Sequence, residues 1–232
     1  MERLDKLVSL NLNITRKEAR SLIKSGCVSV NAKAEKSSDF KCKEEDIISV
    51  NGKELNSKKF VYIMMNKPSG VICASEDKNE KTVIDLLPDS MKRKGLFPAG
   101  RLDKDTTGFV LITDDGEFAH SVLSPSRHVE KTYIAKLDKP FDEIIITEFE
   151  NGVELSDEKL LPAKLEAAGG DFTTAKIVIK QGIYHQIKRM FKKYGITVVK
   201  LNRIKMGNLS IDESLAPGEA RYITDDELLL IK

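Results

Sequence analysis

This 232-residue chain has no tryptophan, few cysteines and no long apolar run. Nothing in it approaches the roughly 20 apolar residues of a membrane-spanning helix, and its first residues alternate charges where a signal peptide has an apolar core. Cys27, Cys42 and Cys73 are odd in number and widely separated, which argues against a disulfide framework and against a Cys-x-x-Cys zinc site. We therefore expect a cytoplasmic protein that contacts no membrane.

The histidines suggest no metal site either. His120, His128 and His185 lack the spacing of metal ligands. We expect neither a metal nor another cofactor.

The formal net charge of +2 conceals an uneven distribution. Residues 1–59 hold 13 Lys and Arg against 9 Asp and Glu, whereas the rest of the chain holds 25 against 27. An excess of basic residues near the N-terminus is typical of proteins that bind a phosphate backbone. Solvated surface lysines also account for an excess of this size.

The first 26 residues are predicted to form two short helices. A capping box from Thr15 to Glu18 starts the second helix, and Gly26 ends it. Helical spacing places four basic side chains on its exposed surface, namely Arg16, Lys17, Arg20 and Lys24. Strand-like segments follow at 28–31 and 47–50.

These segments resemble the small S4 RNA-binding module, through residues 3–6, 15–23 and 26–31. The resemblance implies that residues 1–58 form a domain that docks on structured RNA through the basic helix and reads shape and phosphates. A generic helical cap on a larger domain is the alternative.

A polar connector at 56–59 leads into a second predicted domain, residues 59–232. Strands are predicted at 60–65, 110–113, 131–137, 174–180, 198–205 and 221–224, and helices near 82–87, 117–123, 142–150 and 184–194. Because strands dominate and helices do not alternate with them strictly, we predict an α+β fold. Its sheet is mixed and mainly antiparallel, flanked by helices and loops.

The candidate catalytic segment is the loop at 100–108, which runs into the apolar stretch 109–112. Gly100 and Gly108 bracket it and permit a tight loop that can lie against a ligand. Asp103 is the carboxylate best placed for chemistry. The alternative is that Asp103 and Asp105 only cap a turn.

Two later segments carry further candidates. Alternation along 131–137 places Tyr133 on the inward face, where its ring can stack on a base or simply fill the core. The predicted helix at 184–194 presents cations, among them Lys188 and Arg189, which suit RNA phosphates but also suit a solvated surface.

In order and spacing these segments resemble the bacterial pseudouridine synthases, and the resemblance extends to residues 65–70 and 205–221. It implies that Asp103 is the catalytic aspartate, that Tyr133 contacts the target base and that Lys188 pairs with the aspartate. Because Arg101 lies two residues before Asp103 in an extended loop, we expect it to occupy the space of a flipped base or to hold a neighbouring phosphate, and we expect Arg189 to contact RNA.

Such an enzyme converts uridine to pseudouridine by breaking the bond from ribose to the base nitrogen, rotating the base and rejoining it through carbon 5. An ionised carboxylate must attack the sugar or remove a proton from it, and the sequence leaves both routes open. Lys188 would favour the ionised state.

Residues 184–190 resemble the small-subunit, RsuA-like branch of the family, which implies that the partner is 16S rRNA. We expect this RNA in a small-subunit assembly intermediate, and the sequence leaves free RNA open as the substrate. We expect a monomer. Residues 203–206 depart from that branch's pattern, so a 23S rRNA enzyme of the sister branch stays open, as does a non-catalytic ribosome-assembly factor. A glycoside hydrolase using Asp103 and Asp105 is disfavoured because the two carboxylates lie too close and tryptophan is absent.

Overall fold

The computed structural model describes residues 1–124, 129–156 and 158–231 and divides the chain into two compact units. The first unit comprises Met1–Val61 and Leu87–Leu96, and the second comprises Tyr62–Leu86 and Phe97–Lys232. The domain border between residues 58 and 59 stays a prediction. None of the described helices is long and apolar enough to cross a lipid bilayer.

The first unit consists of two helices and small antiparallel sheets. Its elements are β1 (Glu2–Arg3), α1 (Leu4–Asn11), α2 (Arg16–Lys24), β2 (Val28–Val30), β3 (Lys33–Ala34), β4 (Lys41–Cys42), β5 (Ile48–Val50) and β6 (Lys53–Leu55). Strand β1 pairs with β4, and the order β3-β2-β5-β6 forms a four-stranded sheet. Helix α2 starts with the predicted capping box, in which the Thr15 hydroxyl accepts from the Glu18 N–H and the Glu18 carboxylate accepts from the Thr15 N–H.

The second unit is built on one large sheet. Its elements are β7 (Tyr62–Lys67), β8 (Phe97–Ala99), β9 (Thr107–Thr113), α3 (Gly116–Leu123), β10 (Lys131–Leu137), α4 (Glu143–Asn151), β11 (Lys164–Ala167), β12 (Thr174–Ile179), α5 (Gln186–Lys193), β13 (Val198–Met206), β14 (Leu209–Ser210), β15 (Ala220–Tyr222) and α6 (Asp225–Ile231). Within the described residues the sheet has nine strands in the order β11-β12-β10-β13-β9-β7-β15, with β14 on β13 and β8 on β9.

Strands β9 and β13 pair in parallel, and the other paired strands named in this sheet are antiparallel. The predicted α+β fold with a mixed, mainly antiparallel sheet is therefore confirmed. Residues 109–112 are fully buried because β9 lies inside the sheet and is covered on both faces.

Some local predictions are wrong. Residues 83–86 form a turn instead of the predicted helix at 82–87, and the Thr82 N–H donates to an Asp85 carboxylate oxygen there. Pro88 disfavours helical geometry at the residue before it, Leu87, because the proline ring clashes with the backbone of that residue. The predicted helix at 184–194 begins only at Gln186. Strands β8 and β11 and helix α6 were not predicted.

Candidate active site

The loop at 100–108 connects β8 to β9 and is held by its two glycines. Gly100 and Gly108 have φ angles of 87° and 99°, which strain any residue with a side chain. A Cβ at Gly108 would collide with the side-chain oxygen of Asn202 and the backbone of Arg203 on β13. The close approach of the two parallel strands therefore requires glycine at position 108.

A buried lysine at the end of β7 supports the same loop. The Lys67 ammonium donates to the carbonyl oxygens of Thr106 at 2.8 Å and of Lys104 and Pro68 at 3.1 Å each. The side chain is completely buried, and burial lowers its pKa. On the other side of the loop, the Leu102 N–H donates to the Cys73 sulfur at 3.3 Å. These bonds fix the backbone on both sides of Asp103.

The structure brings Asp103 and Lys188 together. The Lys188 ammonium lies 3.1 Å from an Asp103 oxygen and 2.6 Å from an Asp105 oxygen. Burial opposes the charge of Lys188, but its hydrogen bonds to Asp105 and Asp103 outweigh that effect and raise its pKa. The hydrogen bond from Lys188 also lowers the pKa of Asp105. The lysine therefore stays protonated between two carboxylates.

His185 flanks the same carboxylate. Its Nε2 lies 3.6 Å from an Asp103 oxygen, and its ring stacks on exposed Tyr184 with a centroid separation of 3.8 Å. His185 precedes α5 with a φ angle of 51°, a left-handed conformation that is uncommon for a residue with a side chain. This turn at the start of α5 places Lys188 over the loop.

Tyr133 is only 6% exposed and lies on the inward face of β10 together with Lys131 and Ala135, as the alternation predicts. It lines a pocket in the second unit that also opens onto Asp103. The pocket lining includes Arg101, Asp103, Tyr133, His185, Lys188 and Leu201. A carboxylate, a cation and an aromatic ring from three separate segments thus converge on one cavity.

The two other basic candidates of the second unit occupy different positions. Arg101 is exposed at the pocket, next to Asp103. Arg189 is about one-quarter exposed, with its guanidinium 3.4 Å from a Glu158 carboxylate oxygen, and it lines a separate depression together with Lys192 and Lys193. Arg189 therefore lines a different surface from Arg101.

The four basic candidates of the first unit lie on α2 but are of two kinds. Arg16 and Arg20 bind the buried Asp5 carboxylate at 2.7 and 2.9 Å, and each stays about half exposed. Lys17 and Lys24 are exposed. Burial alone would raise the pKa of Asp5, but hydrogen bonds from Arg3, Arg16 and Arg20 hold it well below its usual range.

Sequence reasoning missed two buried cations close to the loop. Lys67 received no individual role, and Arg203 was noted only as a departure from a subfamily pattern. Arg203 is in phase with buried Leu201 on β13, and a cation at an inward strand position is the signal that marks it. His128 lies outside the described residues.

Known proteins share this architecture over the whole chain. The family described as RNA pseudouridylate synthase matches residues 61–193, and the S4 domain matches residues 2–48. The chain is 44% identical over 231 residues to the ribosomal small subunit pseudouridine synthase A of Vibrio cholerae, with 99% of each protein covered. It is 42% identical over 233 residues to an uncharacterised RNA pseudouridine synthase of Bacillus subtilis, covering 99% of this chain and 98% of that one.

A solved structure described as a pseudouridylate synthase covers 100% of this chain and is itself covered to 100%, with a TM-score of 0.70 and 36% sequence identity. Sequence and three-dimensional similarity therefore agree from end to end. The chain belongs to the RNA pseudouridylate synthase family and carries an N-terminal S4 domain.

Proposed function

We propose that this protein isomerises one uridine of 16S ribosomal RNA to pseudouridine, with Asp103 as the catalytic carboxylate. The observation that carries the proposal is the convergence of Asp103, Tyr133 and Lys188 on one pocket, within a chain of this family. No other carboxylate lines that pocket in the described part of the chain.

The reaction requires an ionised carboxylate beside the sugar of the target nucleotide. Lys188 places a positive charge 3.1 Å from the Asp103 carboxylate and fixes its orientation. Asp103 is about 30% exposed through the pocket, so one of its oxygens can reach a bound nucleotide. The carboxylate then attacks the sugar or removes a proton from it while the base detaches, rotates and rejoins through carbon 5.

The target base has to leave its stack before it can enter the pocket, at a cost of a few kcal/mol. Tyr133 provides an aromatic surface inside the pocket against which the extruded base packs. Arg101 is exposed at the same pocket, where its guanidinium occupies the space left by the base or binds a neighbouring phosphate.

The S4 domain provides a second contact with the RNA through α2. Lys17 and Lys24 are exposed there, and Arg16 and Arg20 keep about half of their side-chain surface accessible. A tethered basic surface raises affinity by adding phosphate contacts without changing the chemistry. Arg189 adds a contact from α5.

The assignment to 16S RNA rests on relatives. The Vibrio cholerae protein, 44% identical over its full length, is named for the small ribosomal subunit. We further propose that the enzyme is a cytoplasmic monomer that acts on RNA of a small-subunit assembly intermediate, with its domain border near residue 58.

The experiment that tests this function is pseudouridine mapping in ribosomal RNA from cells with and without the gene. We expect loss of one pseudouridine in 16S RNA and no change in 23S RNA. Loss of a 23S site instead would move the enzyme to the sister branch, and an unchanged map would contradict the proposed activity.

A further inference from the structure

Arg203 on β13 is a buried cation whose position the proposed reaction does not explain. Its side chain is 1% exposed, and within residues 1–124, 129–156 and 158–231 no carboxylate lies within salt-bridge distance of it. A buried charge without a counter-ion is costly and persists only when hydrogen bonds hold it in place. The contacts of Arg203 are therefore informative about its role.

The guanidinium binds three separate segments around the pocket. Its Nε donates to the Phe109 carbonyl at 2.7 Å, and one terminal nitrogen donates to the Gly100 carbonyl at 2.7 Å. The other terminal nitrogen lies 3.5 Å from the Tyr133 hydroxyl. A single planar group thus connects the first residue of the loop, the strand that follows the loop and the pocket tyrosine.

The backbone of Arg203 makes the same connection. In the sheet, Arg203 is the direct neighbour of Tyr133 on one side and of Gly108 on the other. A Cβ at Gly108 would collide with the Arg203 backbone, whereas a Cβ at Gly100 would lie at an ordinary contact distance of 3.6 Å from the guanidinium. Gly108 therefore packs tightly on Arg203, and the Gly100 carbonyl accepts its hydrogen bond.

We propose that Arg203 is a positioning residue that fixes the Tyr133 hydroxyl relative to the Asp103 loop, so that base and sugar are held together in the reactive geometry. This inference rests on the proposed function. It assigns Arg203 to the chemical step and not to RNA binding, because Arg203 is buried and cannot reach phosphates. Placing reacting groups accurately accelerates a reaction without changing affinity.

The test is a double-mutant cycle with Arg203→Met and Tyr133→Phe in the full-length protein. We measure the single-turnover rate on 16S RNA, the RNA dissociation constant and the unfolding temperature. With the native tyrosine, Arg203→Met is expected to slow the reaction by about tenfold or more with RNA affinity unchanged. In the Tyr133→Phe background the same substitution should cost about threefold or less, because the shared contact is already gone.

Lys131→Met is the matched control. Lys131 is also a buried cation, 6% exposed on the same strand as Tyr133, but the hydrogen bond of its ammonium goes to the Val129 carbonyl at 2.9 Å, outside the loop at 100–108. Lys131→Met therefore removes a buried charge and leaves the hydrogen bonds of Arg203 to Gly100, Phe109 and Tyr133 in place. We expect the rate of this variant to stay within about twofold of the native rate, since those hydrogen bonds are kept.

The inference would be overturned if Arg203→Met lowered the single-turnover rate by the same factor with Tyr133 and with Tyr133→Phe. It would also be overturned if Lys131→Met lowered the rate as much as Arg203→Met does. If Arg203→Met does not fold, Arg203→Lys takes its place in the cycle, since lysine keeps the charge but cannot reach all three oxygens, and the same comparison decides. An inactive native protein would contradict the proposed function itself, whereas an active native protein with an uncoupled cycle would contradict only the role of Arg203.

Discussion

Two aspartates of this protein, Asp5 and Asp103, lie next to cations, and they differ in how much of the carboxylate stays exposed. Asp5 in the first unit is 0% exposed and accepts four hydrogen bonds from Arg3, Arg16 and Arg20. Asp103 in the second unit is about 30% exposed and shares a single lysine with Asp105. The first carboxylate is saturated, whereas the second has Lys188 3.1 Å from one oxygen and His185 3.6 Å from the other and still keeps part of its surface exposed to the pocket.

This contrast separates a structural ion cluster from the cluster that we propose to be reactive better than charge counts do. The three arginines of Asp5 join β1 and α1 to α2, so their contacts hold elements of the S4 domain together. Lys188 instead lies 3.1 Å from a partly accessible carboxylate at the wall of a pocket. A pKa well below the usual range, as at Asp5, therefore does not mark the carboxylate that we propose as catalytic.

The largest expected effect is that of Asp103→Asn, which removes the ionised oxygen and keeps the shape. We expect the isomerisation rate to fall by about a thousandfold or more, with RNA affinity nearly unchanged. Quantifying pseudouridine after incubation of the purified variant with 16S RNA measures this. A variant that keeps its rate would show that Asp103 is as structural as Asp5.

Lys188→Met should slow the reaction by about a hundredfold, because Asp103 would lose the ammonium group that holds its carboxylate in position at the pocket. The control is Lys192→Met, which removes an exposed cation from the same helix. Single-turnover rates for the two variants should differ strongly. Equal rates would mean that the ion pair is not required.

Asp5→Asn should leave the chemistry intact and destabilise the S4 domain by about 2 kcal/mol, since three arginines lose their shared partner. Hydrogen exchange of the α1 and α2 amides reports this locally. The folded pKa of Asp5 lies below its unfolded value of about 3.9, so its contribution is present above that pH and is lost as the pH falls through the folded pKa. The native protein and the variant should therefore converge in stability in acid, and a constant difference would contradict the assignment.

Within α2, Lys17 and Lys24 should matter for RNA more than for folding. Changing both to glutamine should weaken 16S RNA binding by about tenfold and reduce the salt slope of the affinity by about 2. The matched control is Lys33→Gln with Lys53→Gln, which removes two exposed cations from strands of the same unit. If both pairs lower affinity equally, α2 is not the RNA-binding surface.

Asp105→Asn should have the smallest effect, about threefold on the rate, because Asp105 is 70% exposed and its charge is screened by solvent. Steady-state kinetics on 16S RNA would detect it. A loss as large as that of Asp103→Asn would mean that the two carboxylates share the chemistry.

Local patterns predicted much of this fold. The capping box of α2 and the alternation of β10 depend on neighbouring residues, and both appear as expected. The resemblance in order and spacing also placed Asp103 and Lys188 together, although 85 positions separate them in the sequence. Residues 83–86 were predicted as helical from their apolar spacing, but they form a turn because Pro88 disfavours helical geometry at the residue before it.

Contacts that depend on the assembled sheet could not be predicted from local sequence patterns. Arg203 meets Gly100, Phe109 and Tyr133 only because β13 lies between β9 and β10, an order that no local pattern specifies. The same holds for Asp5, whose arginine partners come from two further segments. Burial of a charge is therefore the feature that sequence reasoning predicts least well.

The most direct test of the account is complementation of a deletion strain with the native gene or with Asp103→Asn, followed by pseudouridine mapping of 16S RNA. We predict that the native gene restores the missing pseudouridine and that Asp103→Asn, produced at the same level, does not. Restoration of the modification by Asp103→Asn would contradict the central claim that this carboxylate carries the reaction.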